Sequence, residues 1–248
     1  MSDLALSNSL INEYLNYKFD DNFNQTKIRK LFKYIKSFGL QNNHSLMSDP
    51  AIPRALENDP LIEIIDSCND SDLVQNTVLK LMLIDEPINP HPVYTTINIL
   101  NNNEKLKLKY GATYPSAMDK NKAQKHIKAL LSDASYVRII DGYVASSRKW
   151  NDNKNLIADI IPNINIDLII VGADKNINEY IINQSKKDEL KELLLNLKEV
   201  KATQLNQNMH DRYIETDKLK ILLSSGLEHL SSSSSKDFTY IVEIKNEQ

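Results

Sequence analysis

Residues Ile166–Ala173, IDLIIVGA, constrain this 248-residue chain more than any other stretch. The run is far shorter than the roughly 20 apolar residues that span a bilayer. It does not alternate apolar with polar, so a strand here must be buried on both faces. Such strands lie inside sheets with helices packed against them. The surrounding sequence supplies both kinds of element. KNKAQKHIKALLSDA places Ala123, Ile127, Leu130 and Leu131 on one helical face, and NKNLIADIIPNI and SKKDELKELLLNLKEV also read as helices. SYVRIIDGYV reads as a strand that stops near Asp141-Gly142, and MHDRYIET, KLKILLS and FTYIVEI as further strands. VYTTINIL and KLKLKYGATY, joined by NNNE, read as a hairpin. The expectation for residues 93–248 is an α/β domain, a mixed sheet flanked by helices and closed by a final hairpin. The serine tract 231–235 falls between its last two strands.

Residues 1–88 read differently. SNSLINEYLNYKF and NQTKIRKLFKYIKSFGL carry apolar residues at helical spacing. DPLIEIIDSCNDSDLVQNTVLKLMLIDE reads as two more helices broken at CNDSD. Together these predict a small N-terminal helical bundle. EPINPHPVY, with three prolines, marks the boundary, and His91 reads as an ordinary loop residue. KIRKLFKYIK is a basic amphipathic helix: a solvated bundle face, or a contact for phosphate or an anionic membrane.

Charge and motifs remove several function classes. The net charge is −3, and residues 1–90 hold eight Lys and Arg against thirteen Asp and Glu. A polyanion would therefore meet the second part of the chain more readily. The single Cys68 leaves neither an intramolecular disulfide nor a cysteine-rich zinc site. No transmembrane segment and no signal peptide is read, so the expected location is the cytoplasm. No glycine-rich phosphate loop and no His-Glu-x-x-His occurs, and Asp174–Glu179 lacks the length and glycine of a calcium loop. No cofactor and no metal is expected.

Chemistry concentrates in NMHDRYIETDKLKILLSSGLEHL, Asn208–Leu230. Side chains alternate along a strand, so His210 and Arg212 share a face. Asp217 falls at the turn into the next strand, from which a carboxylate would return to an imidazole. Ser224, Ser225 and Gly226 close that strand. A neutral imidazole attacks phosphorus or accepts a proton. A guanidinium matches two phosphate oxygens, and a carboxylate fixes an imidazole tautomer. The plainer alternative is a polar strand face with a cross-strand ion pair. ASSRKW, Ala145–Trp150, follows the Asp141 turn and offers Arg148 and an aromatic ring to a ligand, or else ordinary surface charge.

His210-x-Arg212-x4-Asp217 resembles the phospholipase D superfamily motif His-x-Lys-x4-Asp, with Arg at the Lys position. The order His210-Asp211-Arg212, Asp217 and Gly226-Leu227-Glu228 is similar to the phospholipase-D-like domain found C-terminal to MIT domains and to its prokaryotic relatives. Asp141–Val144, DGYV, looks like that family's Asp-Pro-Tyr turn, with Gly142 replacing Pro. The resemblance covers residues 93–248. It implies a metal-independent phosphodiesterase with His210, Arg212 and Asp217 as catalytic residues. Ser224, Ser225, Glu228, Asp141, Tyr143 and Arg148 are the candidate substrate contacts. By the same resemblance the substrate is nucleic acid, the setting is bacterial defence against phage or mobile DNA, and the N-terminal part recruits a protein partner. The motif occurs once, so a two-histidine site requires a homodimer. The alternative is a catalytically inactive module that holds phosphate groups of nucleic acid or phospholipid within a larger complex.

Overall fold

The computed structural model describes residues 2–20, 22–35, 40–43, 62–65, 69–86, 94–101, 109–116, 119–173, 181–205, 212–231 and 233–245. The chain divides into two compact units, Met1–Leu108 and Lys109–Gln248.

The first unit is built on a five-stranded sheet, β1 (Leu4–Leu6), β2 (Leu40–Asn43), β3 (Ile62–Ile65), β4 (Leu81–Ile84) and β5 (Thr95–Asn98). Its order is β3-β2-β1-β4-β5 and every pairing is parallel. Helices α1 (Asn8–Phe19) and α2 (Gln25–Ile35) connect β1 to β2. A one-and-a-half-turn helix, α3 (Asp70–Gln75), lies between β3 and β4. Ser7 caps α1 by accepting from Leu10 N, and Asn69 caps α3 by accepting from Asp72 N. Ala5, Met82 and Ile84 pack with Leu73 and Val74 of α3. Strand alternation turns Leu4, Leu6, Leu81 and Leu83 to the other face.

This corrects the helical bundle expected for residues 1–88. Helices α1 and α2 fall where the periodicity put them. The short runs LAL, IEII and LMLI are parallel strands, and LAL and LMLI are buried. An apolar run of three or four residues has no period of its own, so helix and strand cannot be separated by pattern. The boundary also moves. TTIN, β5, pairs with β4 in the first sheet, whereas Lys109–Tyr114 pairs in the second. The two segments expected to form one hairpin therefore belong to different sheets.

The second unit holds a seven-stranded sheet in the order β6-β12-β11-β10-β7-β8-β9. Its strands are β6 (Lys109–Tyr114), β7 (Tyr136–Ile140), β8 (Asp167–Ala173), β9 (Glu199–Leu205), β10 (Arg212–Glu215), β11 (Leu219–Leu223) and β12 (Phe238–Ile244). Strands β7, β8 and β9 are parallel, and β10, β11, β12 and β6 continue antiparallel. The sheet is mixed, as expected, and the serine tract lies between β11 and β12. Helices α4 (Asn121–Leu130), α5 (Trp150–Ile160) and α6 (Gln184–Leu193) also lie where helices were read.

One face of this sheet is the core. Val137, Ile139, Leu168, Ile170, Ile214, Ile221, Tyr240 and Val242 are fully buried on it. The imidazole of His126 on α4 meets the Tyr240 hydroxyl at 2.7 Å, which fixes α4 over this face. The other face presents Arg138, Tyr213, Glu215, Lys220 and Leu222, all half-buried. The direction change between β7 and β10 has one consequence for function. It brings the end of β7, the start of β10 and the end of β11 to a single edge, with Tyr213 opposite Ile140 and Arg212 opposite Leu223.

Candidate functional site

Asp141 follows β7 directly and is completely buried. Its Oδ1 accepts from Tyr143 N at 2.8 Å and its Oδ2 from Leu227 N at 2.9 Å. The first bond closes an Asx turn, and the second ties the β7 loop to the 3-10 turn Leu227–Leu230 after β11. Arg212 places Nε 3.5 Å from Asp141 Oδ1. Burial pushes the Asp141 carboxyl above its ordinary value, against the pull of the two backbone donors and Arg212. Glu228 pushes it the same way as burial, so two carboxylates share this edge.

Tyr143 stands above Asp141, 40% exposed, with the Arg212 guanidinium 5.7 Å from its ring centroid. Glu228 folds back over Gly226, where an added Cβ would collide with the carboxylate. Among the described residues, Glu228 Oε2 and Ser225 Oγ are buried polar atoms without a hydrogen-bond partner. Unsatisfied buried acceptors are uncommon in folded proteins and mark places where a further donor fits.

The residues singled out from the sequence fall into four groups. Arg212, Asp141, Tyr143, Ser225 and Glu228 meet at this edge. Arg148 is exposed on the loop that carries Tyr143. Ser224 and Asp217 are not brought to it. Ser224 Oγ accepts from Thr239 N at 2.9 Å, closing the β11–β12 ladder on the opposite side from Leu223. Asp217 sits at the β10–β11 turn, the far end of β10 from Arg212, and its Oδ1 accepts from Ser135 N at 3.0 Å. Asp217 is therefore not at the edge that carries Arg212. His210 and Asp211 lie outside the described residues, as do His44 and His91.

Trp150, a candidate ligand contact in sequence, is buried and donates from Nε1 to Glu189 Oε2 at 3.1 Å. Hydrogen bonds from Lys154 and Trp150 hold the Glu189 carboxyl below its usual value. Lys186 Nζ donates to Ala145 O at 2.6 Å and Ile181 O at 3.0 Å, pinning the Tyr143 loop from α6. These residues fix the site's shape without entering it.

Sequence reasoning missed His229. Its Nε2 lies 3.5 Å from Glu228 Oε1 and its Nδ1 meets Ser234 Oγ at 2.9 Å. Burial lowers its pKa, and Lys236, Lys120 and Lys149 lower it further against the pull of Glu228. Buried Lys120 donates to Ser234 O and Lys236 O, at 2.9 and 2.7 Å, and holds the serine loop in place. The available signal was His229's position directly after Glu228. Among the described residues, no group of three or more His, Cys, Asp or Glu is placed to hold a metal ion. No helix described is long and apolar enough to cross a membrane.

No family description matches the chain, and no curated protein does. Among solved structures, a polyphosphate kinase from Porphyromonas gingivalis overlaps 80% of this chain and 29% of its own, at 9% identity and a TM-score of 0.33. A yeast tyrosyl-DNA phosphodiesterase mutant overlaps 56% and 34%, at 12% identity and 0.32. TrmBL2, an archaeal chromatin protein, overlaps 59% and 48%, at 12% identity and 0.27. The chain thus spans less than half the length of each. None of these overlaps is close enough to place it in a family.

Proposed function

We propose that the second unit is a phospholipase-D-like phosphodiesterase acting on nucleic acid. The observation that carries this reading is the edge where Arg212, Asp141, Tyr143, Ser225 and Glu228 converge, two residues along the chain from His210. Arg212 clamps two oxygens of a phosphodiester. His210 attacks phosphorus, a phosphohistidine forms, and the departing oxygen takes a proton from a second acid. Water then hydrolyses the phosphohistidine and restores the imidazole. Glu228 replaces Asp217 as the carboxylate at the correct end of β10 to steady the imidazole. With one motif per chain, the second acid is His210 of another copy, and the working form is a homodimer. Within the same reading the protein serves bacterial defence against phage or mobile DNA in the cytoplasm, and the first unit recruits a protein partner.

A second reading, a module that holds phosphate groups without cleaving them, is favoured by one observation. Arg212 already faces the buried Asp141, an internal carboxylate that competes with phosphate. Cleavage of bis(p-nitrophenyl) phosphate and of labelled DNA and RNA in excess EDTA separates the two. The unaltered chain turns over in EDTA, and His210→Ala abolishes turnover while its melting curve is unchanged. Turnover that survives His210→Ala rejects the assignment, and binding without turnover under any condition selects the second reading.

A further inference from the structure

We propose that Tyr143 is a stacking platform for an unpaired base, so that the substrate of this edge is single-stranded nucleic acid. The inference rests on the phosphodiesterase reading for its site and narrows the substrate.

Five large hydrophobic residues are exposed among the described ones: Tyr17, Phe19, Tyr143, Leu193 and Leu195. Tyr143 alone stands at the edge that gathers Arg212 and the buried Asp141. Its backbone N–H is fixed by Asp141 Oδ1 at 2.8 Å, and the Arg212 guanidinium lies 5.7 Å from its ring centroid. The Val144 N–H donates to Asp141 O at 3.2 Å, and Asn153 Nδ2 donates to Val144 O at 2.9 Å, so the residue following the ring is anchored to α5. An aromatic ring held this firmly loses little freedom when a ligand covers it.

The Arg212 guanidinium lies beside the ring, and further cations are carried by two loops of this unit. Arg148 and Lys149 are exposed on the same loop, and Lys236 is exposed on the serine loop. Lys149 and Lys236 both act electrostatically on His229, each lowering its pKa. The two carboxylates are turned inward: Asp141 is fully buried, and Glu228 is folded over Gly226. Asp141 competes with phosphate for Arg212, so selectivity between strands rests on the base. A ring beside a guanidinium is an arrangement that binds single strands, because each base offers a π-face and the cation meets a phosphate. A base inside a duplex is stacked on both sides and cannot cover the ring.

The test uses the full chain in the His210→Ala background, so that strands stay intact, and reads binding by fluorescence anisotropy. The probes are an oligothymidine dodecamer, an oligouridine dodecamer, an abasic dodecamer with the same phosphates, and a duplex of the same length. The expected result is about tenfold tighter binding of at least one base-bearing single strand than of the abasic strand and the duplex. Tyr143→Phe retains that preference, and Tyr143→Leu erases it. Equal affinity for base-bearing and abasic strands, preference for the duplex, or a preference that survives Tyr143→Leu overturns the proposal. Hydrolysis of bis(p-nitrophenyl) phosphate by the unaltered chain keeps the two readings apart. Hydrolysis without strand preference overturns base stacking and leaves the phosphodiesterase. Strand preference without any hydrolysis overturns the catalysis and leaves base stacking.

Discussion

Both units place a buried aspartate directly after an inner strand and bring a cation to it from elsewhere in the chain. In the first unit Asp85 follows β4. Its Oδ2 accepts from Lys27 Nζ at 2.7 Å and from Ser9 Oγ at 2.8 Å. The hydrogen bond to Asp85 raises the Lys27 pKa above its ordinary value despite partial burial. In the second unit Asp141 follows β7, takes two backbone donors, and meets Arg212 at the looser distance of 3.5 Å. The first pair is short and locks α1 and α2 onto the sheet. The second is longer and leaves its guanidinium partly exposed. On the proposed reading, the same position in two sheets serves as a clasp in one and as a receptive site in the other. Contact distance, rather than residue type, separates them.

Removing the two cations should break this contrast most sharply. Lys27→Ala leaves the Asp85 carboxylate buried without its cation, with the Ser9 hydroxyl still donating to it, and should lower stability by about 3 kcal/mol, the low end for a buried pair because the ammonium is partly exposed. Arg212→Gln should lower stability by under about 1 kcal/mol, since its pair is long and part-solvated. It should instead lower phosphodiester cleavage about a hundredfold, as loss of a transition-state donor does. Urea unfolding and initial rates, measured on both variants, check the pair of claims. A stability loss for Arg212→Gln as large as for Lys27→Ala would erase the distinction.

The next effect concerns pH. The Asp141 pKa is raised in the folded state, so its proton stabilises the fold at low pH. That contribution is complete below the ordinary carboxylate range and is lost as pH rises through the folded value. The difference in unfolding midpoint between the unaltered protein and Asp141→Asn should therefore shift in favour of Asn as pH rises above about 4. A difference that stays flat, or moves the other way, would mean that the donors around Asp141 outweigh its burial.

The smallest effect belongs to Asp217. Its bond to Ser135 N joins the β10–β11 turn to the start of β7, so Asp217→Ala should cost about 1 kcal/mol. Cleavage rates should stay unchanged. A large drop in rate at unaltered stability would restore Asp217 to the active site.

Much of the second unit was legible in the sequence because its elements are long enough to show a period. The helix 121–130 buries Ala123, Ile127 and Leu130, and β11 and β12 alternate buried with half-buried residues. The first unit was misread because strands of three or four apolar residues carry no period. Their parallel partners lie tens of residues away, where local pattern gives no hint of pairing. In the site, alternation pairs the face of Arg212 with that of His210, which lies outside the described residues. Asp217 falls in the β10–β11 turn, where it was read, and that turn is the far end of β10 from Arg212. The Ser224 hydroxyl accepts from Thr239 N, a cross-strand bond that the sequence of one strand does not show.

Lys186 reaches the Tyr143 loop through the carbonyl oxygen of Ala145, and every residue type has a carbonyl oxygen. The loop's path is therefore insured by an acceptor that survives substitution of the side chain at that position. On the proposed reading, amino acids on the loop can be exchanged, and with them the ligand the edge prefers, while the scaffold keeps presenting the loop in the same shape. A chain wired in this way can change its target by altering a few exposed residues and leaving its core untouched.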